Sequence, residues 1–507
     1  MKKIPSDISA VAKTLTESGF QAYLVGGCVR DMILGKEPKD WDIATNAKPD
    51  EVQKVFPDSV YENSFGTVGV KIRSGEDNNG DGDGETKIVE VTTFRLEGKY
   101  TDARHPDEIK FADTIEEDLG RRDFTVNAIA LEIKNAKIKN QNESSKLKDG
   151  DFKLIDPYNG QHDLEAKLIK AVGDPQKRFS EDALRLLRAV RFSVELGFEI
   201  EKETADALRK NSHLLERIAK ERIRDEFVKL IMSPDAAGGV TALYSFGLLK
   251  YILPELEDGI GVLQNKHHVF TVFEHNLRAL KYSASKNYSL VVRLASLLHD
   301  VGKPKTKKGD GPDSTFYGHQ VVGERMAVKA LSRLHFSQDI IQSVALLVRE
   351  HMFVYDPDAV TLAGVRRLVR RVGSENVDDL FRVREADRIG SGVPKAQPYR
   401  LRHLRAMVEK VQQDPIHPKM IALRGDELMK VLDIPPGPKV GKILLILLED
   451  VLDDPLRNEK SFLERRAKEL SKLSEKELDD LSLQAKKKAA SVQDRIDVGI
   501  KKKYFVE

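Results

Sequence analysis

The hydrophobic and polar positions of the chain follow two different periods, and the change falls near residue 160. Up to about residue 155, short runs rich in β-branched residues alternate with helical stretches and glycine turns, which is typical of a mixed α and β region. From about residue 160 onwards, the apolar positions recur almost throughout at helical spacing. The pattern therefore predicts an α+β head followed by a long, wholly helical remainder.

Individual elements of the head can be placed from the same pattern. Residues 6–19 predict an amphipathic helix that ends at Gly19, and VRDMILG predicts a helix that Gly35 terminates. The predicted strands are QAYLVGG, DWDIAT, SVYENSFGTVGVKI, KIVEVTTFRL and RRDFTVNAIALEI, the last with a start that could instead be helical. Two polar insertions, 74–86 and 134–151, predict a loop and a hairpin tip.

Composition and charge add limits to this picture. The chain has 507 residues, enough for several structural units, and its 40% hydrophobic and 32% charged content is ordinary for a soluble globular protein. The net charge of +2 neither demands nor excludes nucleic acid. Cys28 is the single cysteine, so no intrachain disulfide exists, which fits the cytoplasm. No signal peptide and no membrane segment are predicted, because no run of about 18 apolar residues occurs.

Two aspartates in DWDIAT carry the first candidate chemistry. Residues i and i+2 of a strand point to the same face, so Asp40 and Asp42 would present paired carboxylates. Close carboxylates repel each other unless a cation lies between them, and Mg²⁺ binds oxygen ligands while keeping positions open for phosphate. Two-metal phosphoryl transfer uses a further carboxylate on a neighbouring strand. Glu90 is the best-placed candidate, although it can equally be an exposed strand residue.

A glycine turn precedes these aspartates. Gly26 and Gly27 allow backbone N–H groups to approach a triphosphate without an intervening Cβ atom. Arg30 adds a guanidinium that can donate two hydrogen bonds to phosphate. The stretch from residue 25 to 46 therefore predicts a site for a nucleoside triphosphate and its metal ions.

A second candidate set recurs every three residues within 178–192, namely Asp182, Arg185, Arg188 and Arg191, which predicts one stripe on a helix. Asp182 and Arg185 would offer a hydrogen-bond acceptor next to a donor. Cytosine and adenine present the complementary amino donor beside a ring-nitrogen acceptor, whereas uracil and guanine present the reverse. The pair can therefore select C and A without a template. The alternative is an ordinary intrahelical ion pair.

Four segments, in this order, resemble the successive motifs of the class II CCA-adding tRNA nucleotidyltransferases and of their relatives, the bacterial poly(A) polymerases. They are LVGGCVRDMILGKEPKDWDIAT, RRDFTVNAIA (121–130), DPYNGQHDL (156–164) and EDALRLLRAVRF (181–192). The resemblance covers most of residues 20–260 and resumes at 425–452. It implies a polymerase-β-like nucleotidyltransferase head, then helical neck, body and tail regions that hold the acceptor end of tRNA.

The resemblance also implies roles for the matching residues. Asp40 and Asp42 would hold Mg²⁺, and Gly27 and Arg30 would bind phosphate. Arg122 would contact the nucleotide, with Arg121 adjacent to it. Asp182 and Arg185 would read the base, and Arg188 and Arg191 would support the triphosphate. Residues 102–111 resemble the loop that lets full CCA-adding enzymes switch from C to A.

The implied reaction is attack of an RNA 3′-hydroxyl on the α-phosphorus of CTP or ATP, assisted by two Mg²⁺ ions. Basic side chains of the helical part would hold the tRNA backbone by shape and charge. Three alternatives remain open: a poly(A) polymerase, an enzyme that adds only A, and a phosphohydrolase whose head only binds tRNA. The sequence does not predict an oligomeric state.

Histidines in the helical remainder form a further ordered set. Residues 266–395 resemble the HD phosphohydrolase superfamily, whose mark is an adjacent His–Asp pair after an apolar helix, here His299 and Asp300. Neutral imidazoles with carboxylates suit a transition metal that activates water. His275, His299, Asp300 and Asp387 would suffice for one metal, and His319 and His351 would fit a two-metal version. His267 or His268 could replace His275.

These resemblances predict a head at 1–157, a neck and body at 158–265, an HD domain at 266–410 and a helical tail at 411–507.

Overall fold

The computed structural model describes residues 4–63, 66–73, 86–96, 110–133, 152–265, 269–412 and 421–506. They form two compact units, residues 1–349 with 390–392 and residues 350–389 with 393–507. The strands that the structure describes all lie in the first unit, and the described part of the second unit is helical. The α+β class predicted from the sequence is confirmed.

The main sheet of the first unit is mixed. Its strands are β1 (Ala22–Val25), β2 (Asp42–Thr45), β3 (Ser59–Asn63), β4 (Thr67–Arg73), β5 (Thr86–Thr93), β6 (Ala130–Ile133) and β7 (Phe152–Ile155). Their order is β3-β4-β5-β2-β1-β6-β7, and only β2 and β5 run parallel. Two short strands, β8 (Leu168–Ile169) and β9 (Glu199–Ile200), pair in parallel as a second sheet.

Alternation of side chains explains how the central strands pack. In β5, Val89 and Val91 are buried whereas Ile88 and Glu90 are exposed, as expected when successive residues face opposite sides. Beside the sheet, a cluster of buried residues joins it to the segment around residues 112–130. One face of β5 therefore belongs to the core, and Glu90 lies on the other.

Within the described residues, sixteen α-helices begin in the first unit, numbered here in chain order. They are α1 (Ser6–Glu17), α2 (Gly27–Ile33), α3 (Pro49–Val55), α4 (Ile115–Gly120), α5 (Gly160–Glu165), α6 (Pro175–Glu181), α7 (Leu184–Leu196), α8 (Lys202–Asn211), α9 (Lys220–Met232), α10 (Ala236–Ser245), α11 (Pro254–Glu257), α12 (Val272–Ser285), α13 (Leu290–Leu298), α14 (Lys303–Thr306), α15 (His319–Arg333) and α16 (Gln338–Glu350).

The second unit holds α17 (Leu362–Val372), α18 (Val377–Gly390), α19 (Tyr399–Gln412), α20 (Gly425–Leu432), α21 (Pro438–Asp453), α22 (Lys460–Ser471) and α23 (Glu475–Lys503). A hydrophobic core between α20, α21, α22 and α23 includes the fully buried Leu423, Ile443 and Leu463. Among the described helices, none combines the length and apolarity needed to cross a membrane.

Three predicted elements differ from the structure. SVYENSFGTVGVKI is not one strand but the antiparallel pair β3 and β4, and Gly66 adopts a positive φ of 84° just before β4. Strand β2 begins only at Asp42, so Asp40 precedes it. The helix predicted across 178–192 is interrupted at Asp182, whose φ and ψ of −140° and 104° are extended and whose carboxylate accepts a hydrogen bond from Leu184 N. Aspartate competes for backbone donors in this way, which favours helix ends over interiors.

Of the strand predicted as RRDFTVNAIALEI, Ala130–Ile133 alone forms a strand, and Thr125–Asn127 is a 3₁₀ helix. Helices α1 and α2 match the predicted ones. Strands β6 and β7 pair as an antiparallel hairpin, although the tip predicted at 134–151 lies outside the described residues. The insertion at 74–86 and the segment 102–111 also lie outside them, except for Thr86, Lys110 and Phe111.

Candidate active site

Carboxylates meet where the parallel strands β2 and β5 lie side by side. Asp42, the first residue of β2, has Glu90 as its register partner in β5. Directly paired residues of adjacent strands project to the same face, so both carboxylates lie on one side of the sheet. Asp40, which is exposed, precedes β2 by two residues.

Burial dominates the electrostatics of Asp42. It raises the pKa of Asp42, the Arg122 guanidinium opposes this rise, and the negative charge of Asp40 adds to it with a smaller effect. Asp40 is therefore close enough to act on Asp42, although it is not part of the strand. The donor set of Asp40, Asp42 and Glu90 is all oxygen, which suits a divalent cation such as Mg²⁺.

Arg122 lies against bare backbone at Gly26. Gly26 has a φ of 75° between β1 and α2, and a Cβ atom there would lie 2.7 Å from Arg122 Nη1 and 3.7 Å from Asp42 Oδ2. At this position, glycine both adopts the left-handed conformation and leaves space for the guanidinium. Gly27 is the first residue of α2, and its position has room for a Cβ, since the nearest atom is Arg30 Nη2 at 3.6 Å.

A buried aspartate holds Arg122 from behind. Asp118 is 1% exposed and accepts hydrogen bonds from Arg122 Nη2 at 3.1 Å and from Arg121 Nε at 2.9 Å. Burial raises the pKa of Asp118, but the two guanidiniums outweigh it and hold the pKa below its ordinary value. Asp118 therefore stays charged and fixes both arginines.

The arginines of α2 and α7 surround one aromatic ring. Arg30, Arg188 and Arg191 lie 5.4, 5.1 and 4.1 Å from the centre of the Phe192 ring. Each also has a polar anchor: Arg30 donates to Asn127 Oδ1 at 2.7 Å, Arg188 Nε to Asp123 Oδ2 at 2.7 Å, and Arg191 Nε to Glu226 Oε2 at 2.6 Å. The structure thus brings together guanidiniums that the sequence spreads over 160 residues.

Asp182 and Arg185 are neighbours in the structure but do not pair through their side chains. Asp182 lies between α6 and α7 and accepts a hydrogen bond from Arg222 Nη2 at 2.9 Å. Arg185 instead donates to Glu181 Oε2 at 2.9 Å and to the Arg121 carbonyl at 3.0 Å. The single stripe predicted from the spacing is therefore wrong at Asp182, because that residue ends α6 in an extended conformation and lies before α7.

Sequence reasoning missed the residues that anchor this site. Asp118, Asp123 and Glu226 are all buried, at 1%, 7% and 4% exposure, and each binds a candidate arginine. Asp123 directly follows the two arginines in RRDFTVNAIA, and that adjacency was an available signal. No pattern in the sequence pointed to Arg222 as the partner of Asp182.

A second polar cluster lies in the helical part of the first unit. His275 of α12, His299 after α13, Asp300, and His319 at the start of α15 are all buried. His275 Nε2 lies 2.8 Å from His299 Nε2 and 3.1 Å from Asp300 Oδ2, and His319 Nε2 lies 3.3 Å from Asp300 Oδ1. Four of the six predicted ligands are thus brought together.

Hydrogen bonds at the outer edge of this cluster orient the rings. His299 Nδ1 lies 2.8 Å from the Ser296 carbonyl, and His319 Nδ1 lies 2.7 Å from the Phe316 carbonyl. A carbonyl oxygen only accepts, so each Nδ1 donates, and Nε2 is the nitrogen that each ring turns toward Asp300. Imidazole nitrogens and a carboxylate that converge in this way form a donor set that suits a transition metal.

Lys303 supplies positive charge to this cluster. Its Nζ lies 2.6 Å from Asp300 Oδ2 and 2.6 Å from Gln264 Oε1. Burial raises the pKa of Asp300, but Lys303 and His299 outweigh it and hold that pKa well below its ordinary range. His351 and Asp387 belong to the second unit, where Asp387 accepts from Arg384 at 2.6 Å, so their part in the ligand set stays a prediction. His267 and His268 lie outside the described residues.

Comparison with known proteins identifies the family of the chain. The Poly A polymerase head domain model matches residues 22–170, a probable RNA-binding region of polymerase A matches 197–260, and a tRNA nucleotidyltransferase domain matches 320–467. The chain is 32% identical over 466 residues to the CCA-adding enzyme of Lactococcus lactis, covering 91% of this chain and 97% of that one. The chain belongs to the CCA-adding enzyme and poly(A) polymerase family, and it is a tRNA nucleotidyltransferase.

Further relatives show the breadth of the family. The A-adding tRNA nucleotidyltransferase of Deinococcus radiodurans is 34% identical over 442 residues, which cover 84% of this chain and 91% of that one. The crystal structure of the Bacillus stearothermophilus CCA-adding enzyme in complex with CTP matches with a TM-score of 0.58 and 27% identity, over 92% of this chain and 98% of that one. The predicted head of the polymerase-β type is thereby confirmed. The family implies use of a divalent metal.

Proposed function

We propose that this nucleotidyltransferase adds the CCA sequence to tRNA 3′ ends from CTP and ATP, without a nucleic-acid template. The observation that carries the proposal is the pairing of Asp42 with Glu90 on one face of the sheet, with Asp40 close by. The arginine cluster of α2 and α7 supplies the cationic surface that a triphosphate needs. Relatives named for CCA addition match nearly the whole chain.

Oxygen ligands at the sheet edge suit Mg²⁺, and Asp40 and Asp42 are the residues that would hold it, with Glu90 as a third carboxylate. When bound, the ions would lower the pKa of the attacking 3′-hydroxyl and offset charge on the pyrophosphate, as in a two-metal transfer. Arg122 would contact the nucleotide from beside Gly26, where Asp118 holds it.

The arginines fix the triphosphate. Arg30, Arg188 and Arg191 are anchored by Asn127, Asp123 and Glu226, so they enter the reaction already oriented. Fixed donors of this kind stabilise developing charge without reorganising at the moment of reaction. Gly26 and Gly27 bring backbone close to the phosphates.

Selection of the base would rest on Asp182 and Arg185. Each has its own anchor, Arg222 for Asp182 and Glu181 for Arg185, so an acceptor and a donor are presented side by side as separate groups. Cytosine and adenine fit that order, whereas uracil and guanine place a donor against Arg185 and an acceptor against Asp182.

The experiment that tests this function is extension of a tRNA that ends at its discriminator base, with each nucleotide withheld in turn. CCA addition gives three added residues and a stop with both CTP and ATP, and two with CTP alone. Extension of this substrate by ATP alone, or an open-ended A tail, would contradict the proposal. Addition restricted to a tRNA that already carries CC would instead identify an A-adding enzyme, as the Deinococcus relative is named.

A second candidate activity is favoured by the histidine cluster, and we propose a metal-dependent phosphohydrolase there. His275, His299, Asp300 and His319 would hold a divalent transition metal, which would supply an activated water. The test is hydrolysis of p-nitrophenyl phosphate by metal-loaded protein, with Mn²⁺, Ni²⁺ or Zn²⁺ added after chelation. Activity that survives in His299→Ala would contradict this assignment.

The domain boundaries predicted from the sequence, at residues 157, 265 and 410, remain predictions.

A further inference from the structure

A cavity in the second unit has a lining that no activity described above uses. It measures about 370 Å³ and lies between the segment after α16, the end of α18 and the start of α19. This volume falls in the range of about 300–1,000 Å³ that is usual for small-molecule sites. The residues that line it and matter here are Phe353, Tyr355, Asp356, Arg388, Pro398 and Arg400.

Arg388 gives the cavity its charge. Its Nη1 donates to the Tyr355 hydroxyl at 2.9 Å and its Nε donates to the Lys395 carbonyl at 3.4 Å. Within the described part of the chain, no carboxylate lies within ion-pair distance of Arg388. A half-buried guanidinium bonded only to neutral oxygens retains its full charge, which favours an anionic ligand.

A second cation lies at the rim. Arg400 pairs with Asp356 at 3.0 Å, and the two side chains are 62% and 39% exposed. Exposed ion pairs of this kind contribute little to stability, so Arg400 can exchange Asp356 for a stronger anion at small cost. The cavity can therefore present two guanidiniums to one phosphate.

The remaining lining is flat and apolar. The Tyr355 ring has the Arg384 guanidinium 5.1 Å from its centre and the Phe353 ring 6.1 Å away. Pro398 adds a further apolar surface to the lining. Rings and guanidiniums of this kind stack with nucleobases whatever their sequence.

Position along the chain connects the cavity to the second candidate activity. Arg388 follows Asp387 directly, Arg384 donates to Asp387 at 2.6 Å, and Phe353 follows His351 by two residues. His351 and Asp387 are the two predicted metal ligands of this unit. The pocket is thus built from the same two chain segments as these predicted ligands.

We propose that this cavity, the Tyr355 pocket, binds a nucleoside monophosphate, with the phosphate on Arg388 and Arg400 and the base against Tyr355 and Pro398. The ligand can be a free nucleotide or the 3′-terminal nucleotide of an RNA, since both present the same groups. Binding does not depend on the proposed phosphohydrolase, but the use of this pocket as its substrate site rests on that function.

The test is calorimetric titration of the full chain, in the presence of chelator, with adenosine 3′-monophosphate and separately with a short RNA that carries a 3′-phosphate. Arg388→Ala should weaken the binding of at least one of them by about tenfold or more. Tyr355→Ala should weaken the same ligand, whereas Tyr355→Phe should retain most of the affinity, because the ring remains. Whichever arm responds identifies the source of the ligand.

Two controls keep the test specific. Arg382→Ala removes a guanidinium of the same helix that binds Asp379 at 2.6 Å and does not line the cavity, and it should leave the affinity unchanged. The urea unfolding transition of Arg388→Ala should match that of the wild type, which shows that the lost binding is not a loss of folding.

Equal binding by wild type and Arg388→Ala in both arms would overturn the proposal. Inorganic phosphate that binds as tightly as the nucleotide would also overturn it, because the base would then contribute nothing. If Arg388→Ala loses binding while metal-loaded wild type hydrolyses no phosphoester, the pocket stands and the phosphohydrolase falls. If His299→Ala abolishes hydrolysis yet keeps nucleotide binding, both stand.

Discussion

In the head, buried carboxylates hold the arginines of the proposed triphosphate site, whereas in the histidine cluster a buried carboxylate lies at the centre, with imidazoles and Lys303 around it. Asp118, Asp123 and Glu226 are nearly inaccessible, while Asp40 at the sheet edge is exposed. In the other cluster, His275, His299 and Asp300 are at most 1% exposed.

The difference matches what each place would accommodate. A triphosphate and an RNA end are large and highly charged, so a site for them needs open carboxylates for metal ions and guanidiniums fixed before the ligand arrives. A single metal ion needs only converging lone pairs and is held best where water is excluded. In the head, the buried carboxylates hold the arginines and would not themselves bind the ligand. In the histidine cluster, the buried carboxylate would itself bind the metal ion.

The largest effect should appear when a variant of the head carboxylates is compared with a variant of the histidine cluster. Asp42→Asn removes one charge from the sheet edge and should reduce nucleotide incorporation by about 10³-fold, because the ligand set for metal ions is broken. His299→Ala should leave incorporation within about twofold, since independent sites are usually additive. Single-turnover extension of tRNA measures both.

The control for the first variant is Asp50→Asn, an exposed aspartate on α3. Equal loss of incorporation in Asp42→Asn and His299→Ala would mean that the two clusters act as one site, and the comparison would then fail.

The free energy of unfolding should depend more on the buried carboxylates that hold arginines than on the exposed carboxylates of the sheet edge. Asp118→Asn leaves two guanidiniums without their buried partner and should cost about 3 kcal/mol of unfolding free energy at neutral pH. The pKa of Asp118 is lowered in the folded state, so its stabilisation is present above the ordinary aspartate pKa and is lost as pH falls through the lowered value. The difference in unfolding free energy between wild type and Asp118→Asn should therefore become smaller as the pH falls.

Urea unfolding followed by fluorescence of Trp41, the single tryptophan, measures this effect within the head. Asp113→Asn, which changes an exposed residue just before α4, is the matched control. A gap that stays constant from neutral to acid pH would show that Asp118 does not stabilise the head through its charge.

The two clusters also differ in how far sequence could predict them. GG, R and DWD lie within 25–46 and belong to consecutive elements, so local periodicity placed them correctly, apart from the start of β2. The histidines were found as an ordered set, and the packing of α12, α13 and α15 brings three of them to Asp300. Anchors such as Asp123 and Glu226 depend on contacts between elements 65 and 35 residues apart, which no local pattern contains.

A smaller effect is expected at Arg222, which no sequence pattern indicated and which the structure shows bound to Asp182. Arg222→Ala frees Asp182 from its 2.9 Å partner and should reduce the preference for CTP over UTP by about tenfold, because the acceptor is no longer fixed. Ratios of kcat/KM for the two nucleotides measure this positioning role, and Arg222→Lys should restore part of the preference.

Arg209→Ala on α8, whose exposed partner is Asp206, should leave that ratio unchanged. If Arg222→Ala lowered kcat/KM for CTP and UTP by the same factor, Arg222 would support the fold or the triphosphate rather than the choice of base.

The smallest effect should come from Gly26, where backbone rather than charge shapes the site. Both Gly26 and Gly35 have positive φ, 75° and 70°, so alanine at either position should cost about 1 kcal/mol of strain. Only at Gly26 would the new Cβ meet Arg122, at 2.7 Å from Nη1, whereas nothing lies within 4 Å at Gly35. The end of an arginine side chain can move, so the extra contact should displace Arg122 rather than unfold the head.

Gly26→Ala and Gly35→Ala should therefore both lose stability in the Trp41 unfolding assay, while only Gly26→Ala raises KM for both CTP and ATP, by several-fold. The Gly35 variant separates the cost of the backbone conformation from the cost of moving the guanidinium, since it carries the first without the second. An equal rise of KM in both variants would assign the effect to the turn around α2. A rise confined to Gly26→Ala would show that the open head site depends on a cation held in place from behind, which the enclosed histidine cluster does not require.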